Sequence, residues 1–162
     1  MLDASDITPY SLSDKFDLTQ FENENPKFVK YLCEEASKDQ ESNVGRVFLF
    51  IHNADYKIVG YVTLAMSHVP KKEHIKLKGV TRYSNIPALL LGQMARDSRY
   101  NHMGAGRLML DWVINQGVNL SKIVGCRLIL LHSVPEKVKW YQSNNFILLE
   151  NTQNSMFLDL FK

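Results

Sequence analysis

Two β-rich runs, 46–52 (RVFLFIH) and 58–66 (IVGYVTLAM), flank the polar stretch Asn53, Ala54, Asp55 and Tyr56. Branched and aromatic residues on either side of a turn-forming stretch predict a β-hairpin. Upstream, after an irregular start, residues 18–38 place Phe21, Phe28, Tyr31 and Leu32 at mixed helical spacings. That pattern predicts one or two helices, broken near Pro26. Downstream, 86–95 (IPALLLGQMA) reads as a buried strand and 127–131 (RLILL) as a short central one. Between them, apolar residues at 105, 108, 109, 112 and 113 form a helical stripe over 104–118. Ser133 and Glu136 bracket Pro135, a capping-box spacing that predicts a helix carrying Val138, Trp140 and Tyr141 and ending near Asn144 and Asn145. Segments 146–149 and 156–161 read as closing strands. The order predicts a mixed α/β domain spanning 1–162, with no repeat or linker.

Composition narrows the class. The chain has 162 residues, 45% hydrophobic and 22% charged, as expected of one globular domain with a single core. No apolar run approaches the roughly 20 residues of a membrane span. The opening MLDASDITPY has neither a basic n-region nor an apolar h-region, so the expected setting is the cytoplasm. Cys33 and Cys126 alone make neither a disulfide framework nor a zinc site, and no metal is expected.

Net charge is only +2 but uneven. Residues 1–42 hold ten acids and four bases, whereas 71–99 hold seven bases against Glu73 and Asp97. The basic segment fits an anionic partner, or a solvated loop whose lysines serve solubility.

The most informative stretch is 96–110 (RDSRYNHMGAGRLML), which runs strand, turn with two glycines, amphipathic helix. A helix N-terminus presents unpaired N–H groups and partial positive charge to an anion. Gly104 and Gly106 remove side chains that would hold a phosphate away, and Arg99 and Arg107 flank the turn. A dinucleotide fingerprint needs a third glycine where Met109 stands, and a P-loop needs Lys then Ser or Thr where Arg107 and Leu108 stand. The alternative is that the glycines serve close helix–strand packing.

Asn101-His102-Met103-Gly104-Ala105-Gly106 resembles motif A of the GNAT acetyltransferases, Q/R-x-x-G-x-G/A, with Asn101 at the first position. The resemblance implies a twisted mixed sheet flanked by helices, with strands splayed at an acyl-CoA cleft. It implies that amides of Asn101, His102, Met103, Gly104, Ala105, Gly106 and Arg107 hold the pyrophosphate of acetyl-CoA. It also implies that the backbone of Met94, Ala95 and Arg96 pairs with pantetheine. Further on, Trp140-Tyr141-Gln142-Ser143-Asn144-Asn145-Phe146 is similar to the family's F-Y-x-x-x-G-F signature. Asn145 replaces Gly there, and Asn is the next-best residue for a left-handed helix end. The resemblance makes Tyr141 the catalytic acid that protonates the leaving thiolate, a role suited to a phenol of pKa near 10.

No residue stands out as a general base; His102, His132 and Asp97 are the candidates. Neutralising a lysine of pKa ~10.4 at pH 7 costs about 4.6 kcal/mol, against about 1 for an α-amine at ~7.8. A site without an evident base suits the α-amine.

Resemblance to one branch covers about residues 16–161: Phe16-Asp17-Leu18 to F-D-C, 59–65 (VGYVTLA) to V-G-Y-Y-A-L-A, and 87–95 (PALLLGQMA) to P-V-L-L-L-G-R-L-A. That branch is the acetyltransferase toxins of toxin–antitoxin modules, which act on aminoacyl-tRNA. It implies that Lys71, Lys72, Lys76, Lys78, Arg82, Arg99 and Lys139 receive tRNA. A cognate antitoxin and a homodimer are the further partners it implies. The alternatives are a GNAT enzyme for a small-molecule amine or a protein N-terminus, and a non-catalytic coenzyme A- or RNA-binding module.

Overall fold

The computed structural model describes every residue, 1–162. Seven strands form a mixed, mostly antiparallel sheet in the order β1-β2-β3-β4-β5-β7-β6. These are β1 (Ile7–Ser11), β2 (Arg46–His52), β3 (Ile58–Pro70), β4 (Asn85–Arg96), β5 (Leu128–His132), β6 (Ile147–Leu148) and β7 (Ser155–Asp159). The helices are α1 (Pro26–Lys30), α2 (Ala36–Glu41), α3 (Ala105–Ser121) and α4 (Val138–Ser143). The mixed α/β expectation holds.

The chain forms two compact units: Met1–Ala65 with Gly92–Val113, and Met66–Leu91 with Ile114–Lys162. Their boundaries fall inside β3, β4 and α3.

In the first unit, the predicted hairpin is β2–β3, antiparallel, with Phe50 opposite Gly60 and Ile51 opposite Ile58. That step is a bulge, and it leaves Val59 outside the ladder. The freed Val59 carbonyl accepts the Asp97 N–H at 2.7 Å, just past the end of β4. Gly60 is required at the bulge: a Cβ there would sit 2.6 Å from the Ala95 carbonyl oxygen and from the Met109 sulfur. The core of this unit packs Leu32, Val47, Leu49, Ile58 and Tyr61, all nearly solvent-free.

Two expectations for this unit are corrected. The irregular start contains β1, an edge strand paired only to β2, with Pro9 opposite Phe50. An edge position tolerates proline because one side of the strand needs no ladder donors. Pro26 starts a helix instead of breaking one: Asn25 caps it by accepting from the Lys27 N–H, and Pro26 occupies the first turn. The interruption comes later, at a π-helical turn, Tyr31–Glu35, where the Ala36 N–H reaches the Tyr31 carbonyl. The extra residue explains why the apolar spacings fit no single helical period.

In the second unit, β4 pairs β5 in parallel from Ala88 opposite Leu128 to Leu91 opposite Leu131. Antiparallel β7 follows on the far side of β5, fastened by the bidentate pair of Arg127 with Asp159 at 2.8 and 3.1 Å. The core here holds Val69, Leu77, Ile86, Ala88, Leu128 and Phe157. The basic segment between β3 and β4 is tighter than a plain loop, with 3-10 turns at Lys71–Glu73 and Ile75–Leu77. The Ser133–Glu136 capping box does not form. The Ser133 hydroxyl donates instead to the Val134 carbonyl, and a 3-10 turn, Pro135–Lys137, leads into α4 without a side-chain cap. No helix is long and apolar enough to cross a membrane.

Candidate active site

The glycine turn lies in the first unit, where β4 runs into α3. The β4–β5 register ends at Leu91, so residues 92–96 run on without a partner on that side. The unpaired side leaves the main-chain groups of Met94 open to an extended ligand, whereas the Ala95 carbonyl faces Gly60 on β3. The Arg96 carbonyl is taken, accepting from Asn23 Nδ2 at 2.8 Å.

After β4, Asp97 caps a 3-10 turn, Ser98–Tyr100, by accepting from the Arg99 N–H. Asn101 donates to the Ser98 carbonyl and Met103 to that of Tyr100, each at 3.3 Å. His102 and Gly104 then adopt φ of 59° and 81°. The left-handed region is costly for most residues and free for glycine. The Leu108 N–H makes the first donation into α3, to the Gly104 carbonyl at 3.2 Å. The amides of Gly104, Ala105 and Gly106 therefore have no acceptor in the helix. Consecutive free N–H groups at the head of α3, with no side chain on either glycine, form a cradle that fits a diphosphate. The Arg107 side chain pairs with Asp111 one turn on, at 2.9 Å.

Asp97 and Arg99 behave differently from a base and a free phosphate ligand. Asp97 is fully buried. Burial works to raise its pKa, but hydrogen bonds from the Arg99 side chain and from the Glu22 and Arg99 amides outweigh it, and the carboxyl is held below its usual value. A carboxylate so stabilised does not take a proton at neutral pH. The Arg99 guanidinium grips Asp97 through Nε and Nη2, both at 2.8 Å, and donates to the Gln20 carbonyl at 3.1 Å. This clamp joins residues far apart in sequence, so no local motif announces it.

In the second unit, Tyr141 sits on α4, buried, with ring centroids of Trp140 and Phe146 at 5.0 and 5.6 Å. Burial alone pushes its phenol well above the ordinary tyrosine range, with no hydrogen-bonding or charged group contributing. The hydroxyl therefore stays protonated through the whole physiological range. Asn145 takes φ of 72°, the left-handed conformation expected where the family signature carries glycine. The Phe146 N–H donates to the Tyr141 carbonyl and the Asn145 N–H to that of Gln142, both at 3.1 Å. That pair is a Schellman motif, and it fixes the last turn on which Tyr141 rides. His132 bonds through Nδ1 to the Ser155 hydroxyl at 2.7 Å.

Of the basic residues, Lys72, Lys76, Lys78, Arg82 and Lys139 are exposed. Lys71 is more engaged, its ammonium donating to the Thr81 carbonyl at 3.2 Å. Arg82 stacks on Tyr83, 4.8 Å from the ring centroid.

No family model matches the chain. It is 27% identical over 134 residues to a tRNA-acetylating toxin of Mycobacterium tuberculosis, covering 81% of this chain and 78% of that one. The solved structure of AtaT complexed with acetyl-methionyl-tRNAfMet superposes with a TM-score of 0.86 at 24% identity, covering 95% of both chains. A tyrosine-to-phenylalanine mutant of the toxin AtaT, bound to the C-terminus of the antitoxin AtaR and acetyl-CoA, superposes with a TM-score of 0.80 at 22% identity, covering 96% of this chain and 94% of that one. The resemblance first carried by the glycine turn and the Tyr141 signature thus extends to the whole backbone. The chain has the GNAT fold, in the form that the toxin AtaT takes.

Proposed function

We propose that the chain is an N-acetyltransferase that moves an acetyl group from acetyl-CoA to the α-amine of aminoacyl-tRNA, with residues 1–162 acting as one catalytic domain. The observation that carries this reading is the run of free amides from Gly104 to Gly106 beside the open edge of β4. The similarity to a tRNA-acetylating toxin supports the choice of acceptor.

Acetyl-CoA supplies an activated thioester. The amides at 104–106 hold its diphosphate, and the edge of β4 at Met94 orients the pantetheine arm. Tyr141 keeps its proton on Oη until the thiolate departs, then donates it to the sulfur. The incoming α-amine needs little help to lose its proton, because its own pKa lies within about a unit of neutrality. Neither Asp97 nor His132 is needed as a base. Lys72, Lys76, Lys78, Arg82 and Lys139 attract the phosphates of the tRNA, a contact independent of sequence and sensitive to salt. The enzyme works where aminoacyl-tRNA is found, in the cytoplasm, and an antitoxin of the AtaR kind is its proposed regulator.

The test is incubation with labelled acetyl-CoA and total tRNA, charged or deacylated. Label should enter the charged pool alone and be released with the amino acid. Label reaching free amines or protein N-termini equally well, with or without tRNA, overturns the choice of acceptor.

A further inference from the structure

Residues 20–24 run alongside the end of β4, and six polar contacts join the two. The Arg99 guanidinium donates to the Gln20 carbonyl at 3.1 Å. The Glu22 N–H donates to Asp97 Oδ2 at 2.9 Å, and the Ser98 N–H to the Glu22 carbonyl at 2.8 Å. Asn23 Nδ2 donates to the Arg96 carbonyl at 2.8 Å. Glu24 accepts from the Ser98 hydroxyl at 2.9 Å and from Arg96 Nη2 at 3.4 Å. The segment is anchored at its other side too, because Gln20 Oε1 accepts from the Ile58 N–H at 3.2 Å.

Asp97 is the centre of this array. Its Oδ1 accepts from the Arg99 N–H and Nε, and its Oδ2 from the Glu22 N–H and Arg99 Nη2. All four lone-pair directions of one carboxylate are thus filled, two by backbone amides and two by a guanidinium. Its main chain is fixed as well: the N–H donates to Val59 at the bulge, and the carbonyl accepts from Tyr100 at 3.0 Å. Tyr100 in turn accepts from Met103, the residue before Gly104. A rigid path therefore leads from the carboxylate, through a 3-10 turn, to the residue whose φ aims the free amides.

Resting on the coenzyme-binding reading above, we propose that Asp97 is a positioning residue: by locking residues 20–24 to the end of β4 with Arg99, it sets the direction of the amides at 104–106 and so the affinity for coenzyme A. Asp97→Asn keeps one oxygen but turns an NH2 group toward the Arg99 guanidinium and one backbone amide, that of Glu22 or that of Arg99, so donor faces donor. The expected loss lies in coenzyme affinity, not in the chemistry at sulfur.

The experiment is calorimetric titration of coenzyme A into folded wild type, Asp97→Asn and Arg99→Met, with acetyl-CoA KM and kcat measured on the same preparations. Asp97→Asn should raise Kd and KM at least tenfold while kcat at saturation stays within about twofold. Arg99→Met should raise both several-fold. A role confined to stability would lower the fraction of competent sites and the Tm but leave Kd unchanged. Folded Asp97→Asn with wild-type Kd overturns the proposal. Should that variant fail to fold, Arg99→Met with wild-type Kd overturns it equally. A wild-type protein that binds no coenzyme A sinks the functional reading along with this one.

Discussion

The turn between β4 and α3 and the basic segment between β3 and β4 both suit anions, but they are built in opposite ways. At the turn, nearly every polar group before Gly104 is committed: a buried carboxylate takes four hydrogen bonds, and residues 20–24 brace the strand end. What remains free is a short run of main-chain amides aimed by Gly104. In the basic segment, Leu77 anchors the loop in its core while Lys72, Lys76 and Lys78 project from the surface. One region offers fixed donors and little net charge; the other offers charge without fixed direction. A ligand of one defined shape suits the first, and a long polyanion in many registers suits the second.

The largest effect expected concerns neither region but Tyr141, the acid of the proposed reaction. Tyr141→Phe removes the proton donor and should lower kcat by about a hundredfold, in the range usual for general acids. Coenzyme A affinity in calorimetry should stay near wild type, since the ring still packs on Trp140 and Phe146. Turnover within threefold of wild type would remove Tyr141 from the mechanism.

Next comes the directed site. Gly104→Ala forces a Cβ onto a residue at φ 81°, where L-residues lose about 1–2 kcal/mol. Shifting that residue toward ordinary φ turns the amides, and coenzyme A affinity should fall about tenfold. Unchanged affinity would mean that fixed direction is unimportant, and the contrast between the regions would collapse.

Charge without direction makes a weaker and different prediction. Lys72→Glu, Lys76→Glu and Lys78→Glu together should raise the KM for charged tRNA several-fold at low salt, with acetyl-CoA KM unaltered. The deficit should vanish as salt rises, since counterion release carries the contact. A deficit that persists at high salt would reveal specific, directed contacts in the loop.

The same contrast decides what could be read from sequence. The glycine turn, its helix and Asn145 were legible because each is a local requirement: a φ, a cap, a stripe. The hairpin and the strands β4 and β5 were legible because branched apolar runs leave few alternatives, whereas the parallel pairing of β4 with β5 was not. Strand β1 was not, because Pro9 argues against a strand unless its edge position is already known. The π-helical turn at Tyr31–Glu35 left only a disturbed spacing. The Asp97 clamp was hidden altogether, since its partner Glu22 lies 75 residues away. Asp97 by itself suggested a base, and only its partners show that its proton affinity is lowered. Ser133 and Glu136 had the spacing of a cap without the role, because the Ser133 hydroxyl donates to the Val134 carbonyl while its main chain is held by Asn154, through bonds of 2.8 and 3.0 Å.

The smallest effect separates the regions by pH. The Asp97 carboxyl is held below its ordinary value in the folded chain, so folding favours its charged form. Its contribution to stability is complete above the unfolded pKa of about 3.9 and fades as pH falls through the lower folded value. Asp97→Asn cannot titrate. The gap in urea midpoint between wild type and this variant should therefore be constant from pH 7 to about pH 5 and narrow below pH 4. Replacing Lys76 with Gln, which disturbs no bond of its side chain, should leave the same acid limb unmoved. A gap that holds its full width at pH 3 would mean that the Asp97 bonds act through shape alone, and that the braced region owes its rigidity to packing instead of charge.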